Sequence, residues 1–166
     1  PRRTAFADDL KVQAVRAWVQ DQGKDWPFTP YIELLTDEQL IVQANHLKAS
    51  VPAFRSFLQD FGQARRAEDP EYWIRLAFAR HDKLHGNRPM VITDVRYKNE
   101  AEAVRLRRGF NLRIIRPGHE NKLTPEQRLH PSECDLDDYE RFHALVENNG
   151  DPVVFLTRVL KAVRAY

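Results

Sequence analysis

Residues 90 to 115, MVITDVRYKNEAEAVRLRRGFNLRII, constrain the fold more tightly than any other stretch of the chain. MVIT is a short, nearly all-apolar run of the kind found in a strand covered on both faces. Asn99 supplies a cap for the helical segment EAEAVRLRR, Gly109 ends it, and NLRII supplies a second strand. Strand, helix and strand in such close succession argue for an α/β domain with a mainly parallel sheet. The charges at the strand ends then gain meaning, because ligands of such sheets collect outside the carboxyl ends of the strands. Asp94, Arg96 and Arg116 stand at those ends.

The rest of the chain extends the same alternation. TAFA, residues 4 to 7, reads as a strand, followed by a helix with Leu10, Ala14, Val15 and Trp18 on one face and Gly23 as its stop. A loop with two prolines follows. Thr36 and Gln39 form a capping box for a helix through about Ala49, whose apolar face is Leu40, Ile41, Ala44 and Leu47. Pro52 opens a third helix with Phe54, Phe57, Leu58 and Phe61 on one stripe and Gly62 as its stop. Asp69 and Pro70 start a fourth, carried by Trp73, Leu76, Ala77, Arg80 and Leu84 to Gly86. Near the end, HALVENNG reads as a strand and turn. Asp151 and Pro152 then start a helix with Val154, Leu156, Val159, Leu160 and Val163 inward.

Size and composition set bounds on what this pattern can do. A chain of 166 residues, 42% hydrophobic, suits one domain spanning 1–166, which at that size buries roughly 68–70% of its unfolded surface. The 26 Lys and Arg against 24 Asp and Glu leave a small surplus. Arginine dominates it, and the planar guanidinium matches phosphate and carboxylate groups. A phosphorylated small partner fits this balance better than a long polyanion, so nucleic acid is a weak candidate. The single Cys134 excludes an internal disulfide framework and a thiolate zinc cluster, and the six histidines form no zinc-binding pair. No apolar run approaches the roughly 20 residues of a membrane helix, and no signal-peptide pattern opens the chain. These features indicate a cytoplasmic protein without a membrane partner.

Four stretches go beyond this generic pattern: AFADDLK at 5–11, FLQDFGQARRAEDPEYW at 57–73, VITDVRYKNEAEAV at 91–104, and HPSECDLDDY at 130–139 followed by NNG at 148–150. In this order they resemble the phage-type deoxynucleoside monophosphate kinases, a branch of the P-loop kinases. The second stretch departs from that family at Gln63, where Thr is usual, and is one residue short. The resemblance implies a P-loop NTPase-like three-layer α/β/α fold. It also implies transfer of the γ-phosphoryl group of ATP to a deoxynucleoside monophosphate, with Mg²⁺ as cofactor, and a possible homodimer.

That chemistry requires positioned phosphates and positive charge over the transferring group rather than covalent help. By resemblance, Asp94, Arg96 and Arg116 are the catalytic candidates, and Arg66 is a candidate to grip the monophosphate. Asp94 would hold Mg²⁺ through water or accept a hydrogen bond from the acceptor. Asp8 and Lys11 would stand near the acceptor nucleotide. His130, Ser132 and Glu133 resemble the family's His-x-Ser-Glu motif, within a candidate lid at 117–140. Each has a plainer reading: a structural ion pair for Asp94 and Arg96, a solvated corner for Arg66, a surface histidine and a helix-start charge for His130 and Glu133.

None of the six glycines begins the Gly-x-x-x-x-Gly-Lys-Ser/Thr loop that cradles donor phosphates. Gly23-Lys24-Asp25 lacks the preceding glycine. The resemblance therefore implies that the first strand and phosphate loop are missing from this chain, in a preceding segment of roughly 20–30 residues. The alternative is a noncatalytic nucleotide- or anion-binding module derived from the same fold.

Overall fold

Helices pack mainly on helices in this chain. A computed structural model describes residues 1–22, 29–118, 124 and 128–166; the Gly23 helix stop and residues 119–123 and 125–127 of the candidate lid lie outside them. The described chain folds as two units, Pro1–Val95 and Arg96–Tyr166.

In the first unit, strand β1 (Arg2–Thr4) leads into helix α1 (Phe6–Gln22), a 3-10 segment (Thr29–Leu34), and helices α2 (Asp37–Ser50), α3 (Pro52–Glu68) and α4 (Tyr72–His85), before strand β2 (Met90–Ile92). Helix α1 is the hub against which α2, α3 and α4 pack. Its Ala14 and Val15 are fully buried, and Leu40, Ala44 and Leu47 of α2, Phe54 and Leu58 of α3 and Trp73 of α4 close around them. Local signals start these helices where the sequence indicates. Thr36 and Gln39 form the capping box of α2, and Pro52 occupies the first turn of α3, where its missing N–H costs no hydrogen bond.

The second unit holds helix α5 (Lys98–Leu106), strand β3 (Leu112–Ile115), the short helix α6 (Pro131–Cys134), strand β4 (Ala144–Glu147) and helix α7 (Pro152–Ala165). The Asp151 carboxylate accepts from the N–H groups of Val153 and Val154 and so caps α7. Among the described residues, Ala101 and Val146 are the buried apolar side chains of this unit, joined by the buried polar Glu100 and Asn111.

The P-loop NTPase-like three-layer α/β/α expectation is corrected by this architecture. The described residues are 62% helical, with two short two-stranded parallel sheets in place of a central one. β1 pairs with β2 in the register Arg2–Met90, Arg3–Val91 and Thr4–Ile92. β3 pairs with β4 from Leu112–Ala144 to Ile115–Glu147. Strands of three or four residues present too little area for a helical layer on each face, so the apolar faces of α1 to α4 bury one another instead. MVIT is accordingly not covered on both faces, since Val91 is exposed.

Four smaller expectations shift for local reasons. The TAFA strand is Arg2–Thr4, with the helix already begun at Phe6. Gly62 does not stop α3, which continues to Glu68. A Cβ there would lie 3.1 Å from a methyl of Leu10, so glycine serves the close approach of α3 to α1. The cap of α5 is Tyr97 rather than Asn99, with Glu100 accepting from the N–H groups of Arg96 at 2.8 Å and Tyr97 at 3.2 Å. In α7, Val154, Leu156, Leu160 and Val163 are exposed rather than inward.

The end of α5 supplies a test of the backbone account. Arg108 takes the left-handed conformation at φ 57°, and the Gly109 N–H closes onto the Val104 carbonyl at 2.8 Å. A Cβ on Gly109 would sit 2.8 Å from that same carbonyl oxygen, which is backbone and cannot rotate away. Gly109→Ala is expected to destabilise the protein by about 1–3 kcal/mol, as overpacking does. Arg108→Gly is expected to stabilise it by about 0.5–1 kcal/mol, through relief of the left-handed strain. Urea unfolding of both variants checks the pair; equal and unchanged midpoints would contradict the assigned geometry.

Candidate functional site

Several of the sequence-derived candidates fall into two groups, Asp94, Asp8 and Lys11 in the first unit and Arg96, His130, Ser132 and Glu133 in the second. In the first unit the organising feature is the start of α1. Helix N-termini leave N–H groups without partners, and here the Asp94 carboxylate fills that need across 87 and 88 residues of sequence. One oxygen accepts from Phe6 N–H at 2.8 Å and the other from Ala7 N–H at 2.9 Å. Burial raises the Asp94 pKa above its ordinary 3.8, the two backbone donors lower it, nearby Asp8 raises it and Lys11 lowers it. Asp94, Asp8 and Lys11 thus share one electrostatic neighbourhood.

Asp8 is itself buried. Its Oδ2 accepts from Ala5 N–H at 3.1 Å and faces Arg3 at 3.4 Å, while its Oδ1 has no hydrogen-bond partner among the described residues. Asp9, on the neighbouring position of α1, pairs with Arg80 at 3.4 Å. Arg66 lies in the last turn of α3, one turn beyond the Gly62 contact with Leu10, and its guanidinium reaches the Gly62 carbonyl at 3.5 Å.

The half-buried Asp9 carboxylate gives a pH signature. Burial pushes the Asp9 carboxyl above 3.8, Arg80 pulls it down, and Asp37 and Asp8 push it further up. A raised folded pKa means that the native state holds this proton more tightly than the unfolded chain. The associated stability is present below the unfolded value and lost as pH rises through the folded one. Wild type should therefore lose stability relative to Asp9→Asn as pH rises from below the ordinary carboxylate range through the raised folded value. Parallel urea midpoints across that range would contradict the assignment.

In the second unit the group forms around the start of α5. Arg96 pairs with Glu133, and its guanidinium reaches the Ser132 carbonyl at 3.4 Å. The Ser132 N–H donates to His130 Nδ1 at 3.2 Å, and the Ser132 hydroxyl lies 2.8 Å from the same nitrogen and 3.3 Å from Glu133 Oε1. With one proton, the hydroxyl can donate to only one of these acceptors at a time. His130, Ser132, Glu133 and Arg96 therefore make a single polar cluster from segments about 35 residues apart. The segment carrying them is also held at Lys98, whose N–H donates to Asp135 at 2.7 Å and whose ammonium meets Asp138 at 2.8 Å. Tyr139 donates to Glu102 at 2.9 Å, and Arg113 reaches the Leu136 carbonyl at 2.6 Å and Asp137 at 3.0 Å. Residues 130–139 of the candidate lid thus lie fastened to α5 and β3. Arg116 is exposed just after β3, and no contact links it to the Arg96 cluster among the described residues.

Lys98, Glu100 and Arg113 were absent from the sequence-derived candidates. The acidic run CDLDD hints at a cationic partner, but nothing local in the sequence names Lys98 or Arg113 as that partner.

Comparison with known proteins gives a match over part of the chain. Over 98 residues, 58% of the chain, it is 38% identical to "Uncharacterized protein ORF76" of Ictalurid herpesvirus 1 (strain Auburn). The matched part spans 40% of that protein's length. No family model matches the chain. Among the described residues, no helix is long and apolar enough to cross a membrane, and no three or more His, Cys, Asp or Glu side chains group as metal ligands.

Proposed function

We propose that the chain recognises a deoxynucleoside monophosphate and belongs to a kinase that transfers the γ-phosphoryl group of ATP, with Mg²⁺, to give the diphosphate. The observation that carries this reading is the Arg96 cluster. Two stretches that motivate the resemblance, VITDVRYKNE and HPSEC, meet there through Arg96, Ser132 and Glu133. The Arg96–Glu133 pair is partly exposed, and an ion pair of that kind is worth only about 0–1 kcal/mol. Its guanidinium is therefore cheaply released to a phosphate dianion, which it can grip with two parallel hydrogen bonds. Ser132 and His130 add a hydroxyl and a ring nitrogen beside it.

The start of α1 supports the reading less directly. Both oxygens of Asp94 cap a helix, so a role toward water-held Mg²⁺ would use their second lone pairs. Asp8, Lys11, Arg66 and Arg116 stand as candidates for the acceptor or its phosphate on the resemblance alone. The proposed setting is the cytoplasm, that of the host cell if the gene is phage-borne.

A noncatalytic nucleotide-binding module is the second reading, favoured by the occupied Asp94 oxygens. Calorimetric titration with a deoxynucleoside monophosphate, its nucleoside and inorganic phosphate tests what both readings share. Saturable binding of the monophosphate that exceeds both fragments is expected; binding no tighter than that of the nucleoside removes the proposal. Because the kinase reading places the phosphate loop before residue 1, incubation of the full-length gene product, any preceding segment included, with ATP, Mg²⁺ and the monophosphate then separates the two. Diphosphate formation supports the kinase, and intact binding without it supports the module.

A further inference from the structure

Glu133 stands where the resemblance expects a substrate contact, yet its carboxylate is bound to a cation of the same site. Arg96 pairs with Glu133 Oε1 through the guanidinium nitrogen that also donates to the Ser132 carbonyl at 3.4 Å. Both side chains are partly exposed, so the pair opens at little cost. The groups around it are held independently of it. The buried Glu100 carboxylate accepts from the Arg96 N–H at 2.8 Å and so fixes the backbone from which the guanidinium projects. The segment that carries Glu133 is fastened by Asp135 on the Lys98 N–H at 2.7 Å, Asp138 on the Lys98 ammonium at 2.8 Å and Asp137 on Arg113 at 3.0 Å. Glu133 can therefore swing away by side-chain rotation alone, with Arg96 and the segment left in place.

We infer that Glu133 is a built-in competitor for the phosphate of the proposed ligand, a carboxylate that occupies Arg96 until a phosphate dianion displaces it. This rests on the reading of Arg96 as the phosphate-binding group. Charge fixes the sign of the effect. A guanidinium offers its parallel N–H donors to a carboxylate or to a phosphate in the same geometry, so the two anions exclude each other from one position. A carboxylate left close to a bound dianion also repels it. Binding of the monophosphate thus includes the cost of opening the pair, whereas a nucleoside carries no anion with which to open it. The Ser132 hydroxyl lies 3.3 Å from Glu133 Oε1 and 2.8 Å from His130 Nδ1. Departure of the carboxylate leaves this hydroxyl free to serve the incoming phosphate or the ring nitrogen. A Glu133 that touched the ligand directly would have the opposite effect, because its removal would weaken binding.

The test is calorimetric titration of the adenine, guanine, cytosine and thymine deoxynucleoside monophosphates, and of their nucleosides, into the whole 166-residue chain and into Glu133→Gln, which keeps the side-chain shape and removes the charge. The variant should bind monophosphate about threefold tighter or more, with nucleoside affinity unchanged; circular dichroism checks that it stays folded. Binding detectable only in the variant supports the inference further. In an Arg96→Ala background Glu133→Gln should bring no gain, since the competition acts through Arg96. Weaker or unchanged binding by Glu133→Gln overturns the inference, as does an equal gain in the Arg96→Ala background. These results leave the phosphate reading standing where Arg96→Ala alone weakens the monophosphate. Wild type and Glu133→Gln that both bind the monophosphate no tighter than the nucleoside remove the reading and the inference together.

Discussion

Trp73→Ala is expected to unfold much of the first unit, at a cost of about 3–5 kcal/mol. Trp73 is 1% exposed. Its ring meets Tyr72 edge-on at 4.7 Å and Phe61 at 6.5 Å, and its indole N–H donates to the Gly62 carbonyl at 3.2 Å. Truncation opens a cavity in the layer between α1, α3 and α4 and removes that donor as well. A typical domain has only about 5–15 kcal/mol in hand, so the loss is a large fraction of the whole. Trp73→Phe separates the two contributions. It keeps most of the ring contacts and loses the N–H, and should cost about 1–3 kcal/mol. Chemical unfolding followed by far-ultraviolet circular dichroism checks both; a Trp73→Ala midpoint close to wild type would mean that the helical layer is not built around this ring.

Asp94→Ala should be the next most damaging change, at about 2–4 kcal/mol. It strands the N–H groups of Phe6 and Ala7 at the start of α1, and each buried unpaired donor costs about 1–3 kcal/mol. Relief from holding a buried carboxylate offsets part of that loss, since burial already raises its pKa. Asp94→Asn keeps one accepting oxygen but turns an NH₂ toward the second N–H, so it should recover less than half of the loss. Hydrogen exchange localises the effect: protection at the first turn of α1 should fall before protection in α2 changes. Unaltered exchange there would show that Asp94 is not the cap, and would return its carboxylate to the role suggested by the resemblance.

These two residues also show where the sequence is readable. Signals that act within a few residues are legible, as with Thr36 and Gln39, Pro52, and Asp151 with Pro152, because the capping atoms lie beside the groups they satisfy. Asp94 is chemically conspicuous, but its partners are 87 and 88 residues away, and no periodicity reports such a distance. Alternation of strand-like and helical runs suggested one continuous sheet. It failed because strands of three and four residues cannot sustain layers on both faces, and α1 offers the other helices a better apolar surface. Helix α7 misled for a related reason. Apolar spacing locates its stripes correctly, but whether a stripe is buried depends on what lies opposite.

The candidate site divides in the same way. His130, Ser132 and Glu133 lie close together in the sequence, but their contact with Arg96 spans 36 and 37 residues, which no local signal reports. Lys98 and Arg113, which fasten the same segment, carry no motif.

The most direct measurement is calorimetric titration of a deoxynucleoside monophosphate into wild type and Arg96→Ala. Because Arg96 is partly exposed and its pairing with Glu133 contributes little stability, the variant should keep its fold. Its affinity should fall at least about tenfold, equivalent to about 1.4 kcal/mol, while affinity for the nucleoside alone stays unchanged. Equal affinity of folded wild type and variant for the monophosphate would contradict phosphate recognition at Arg96.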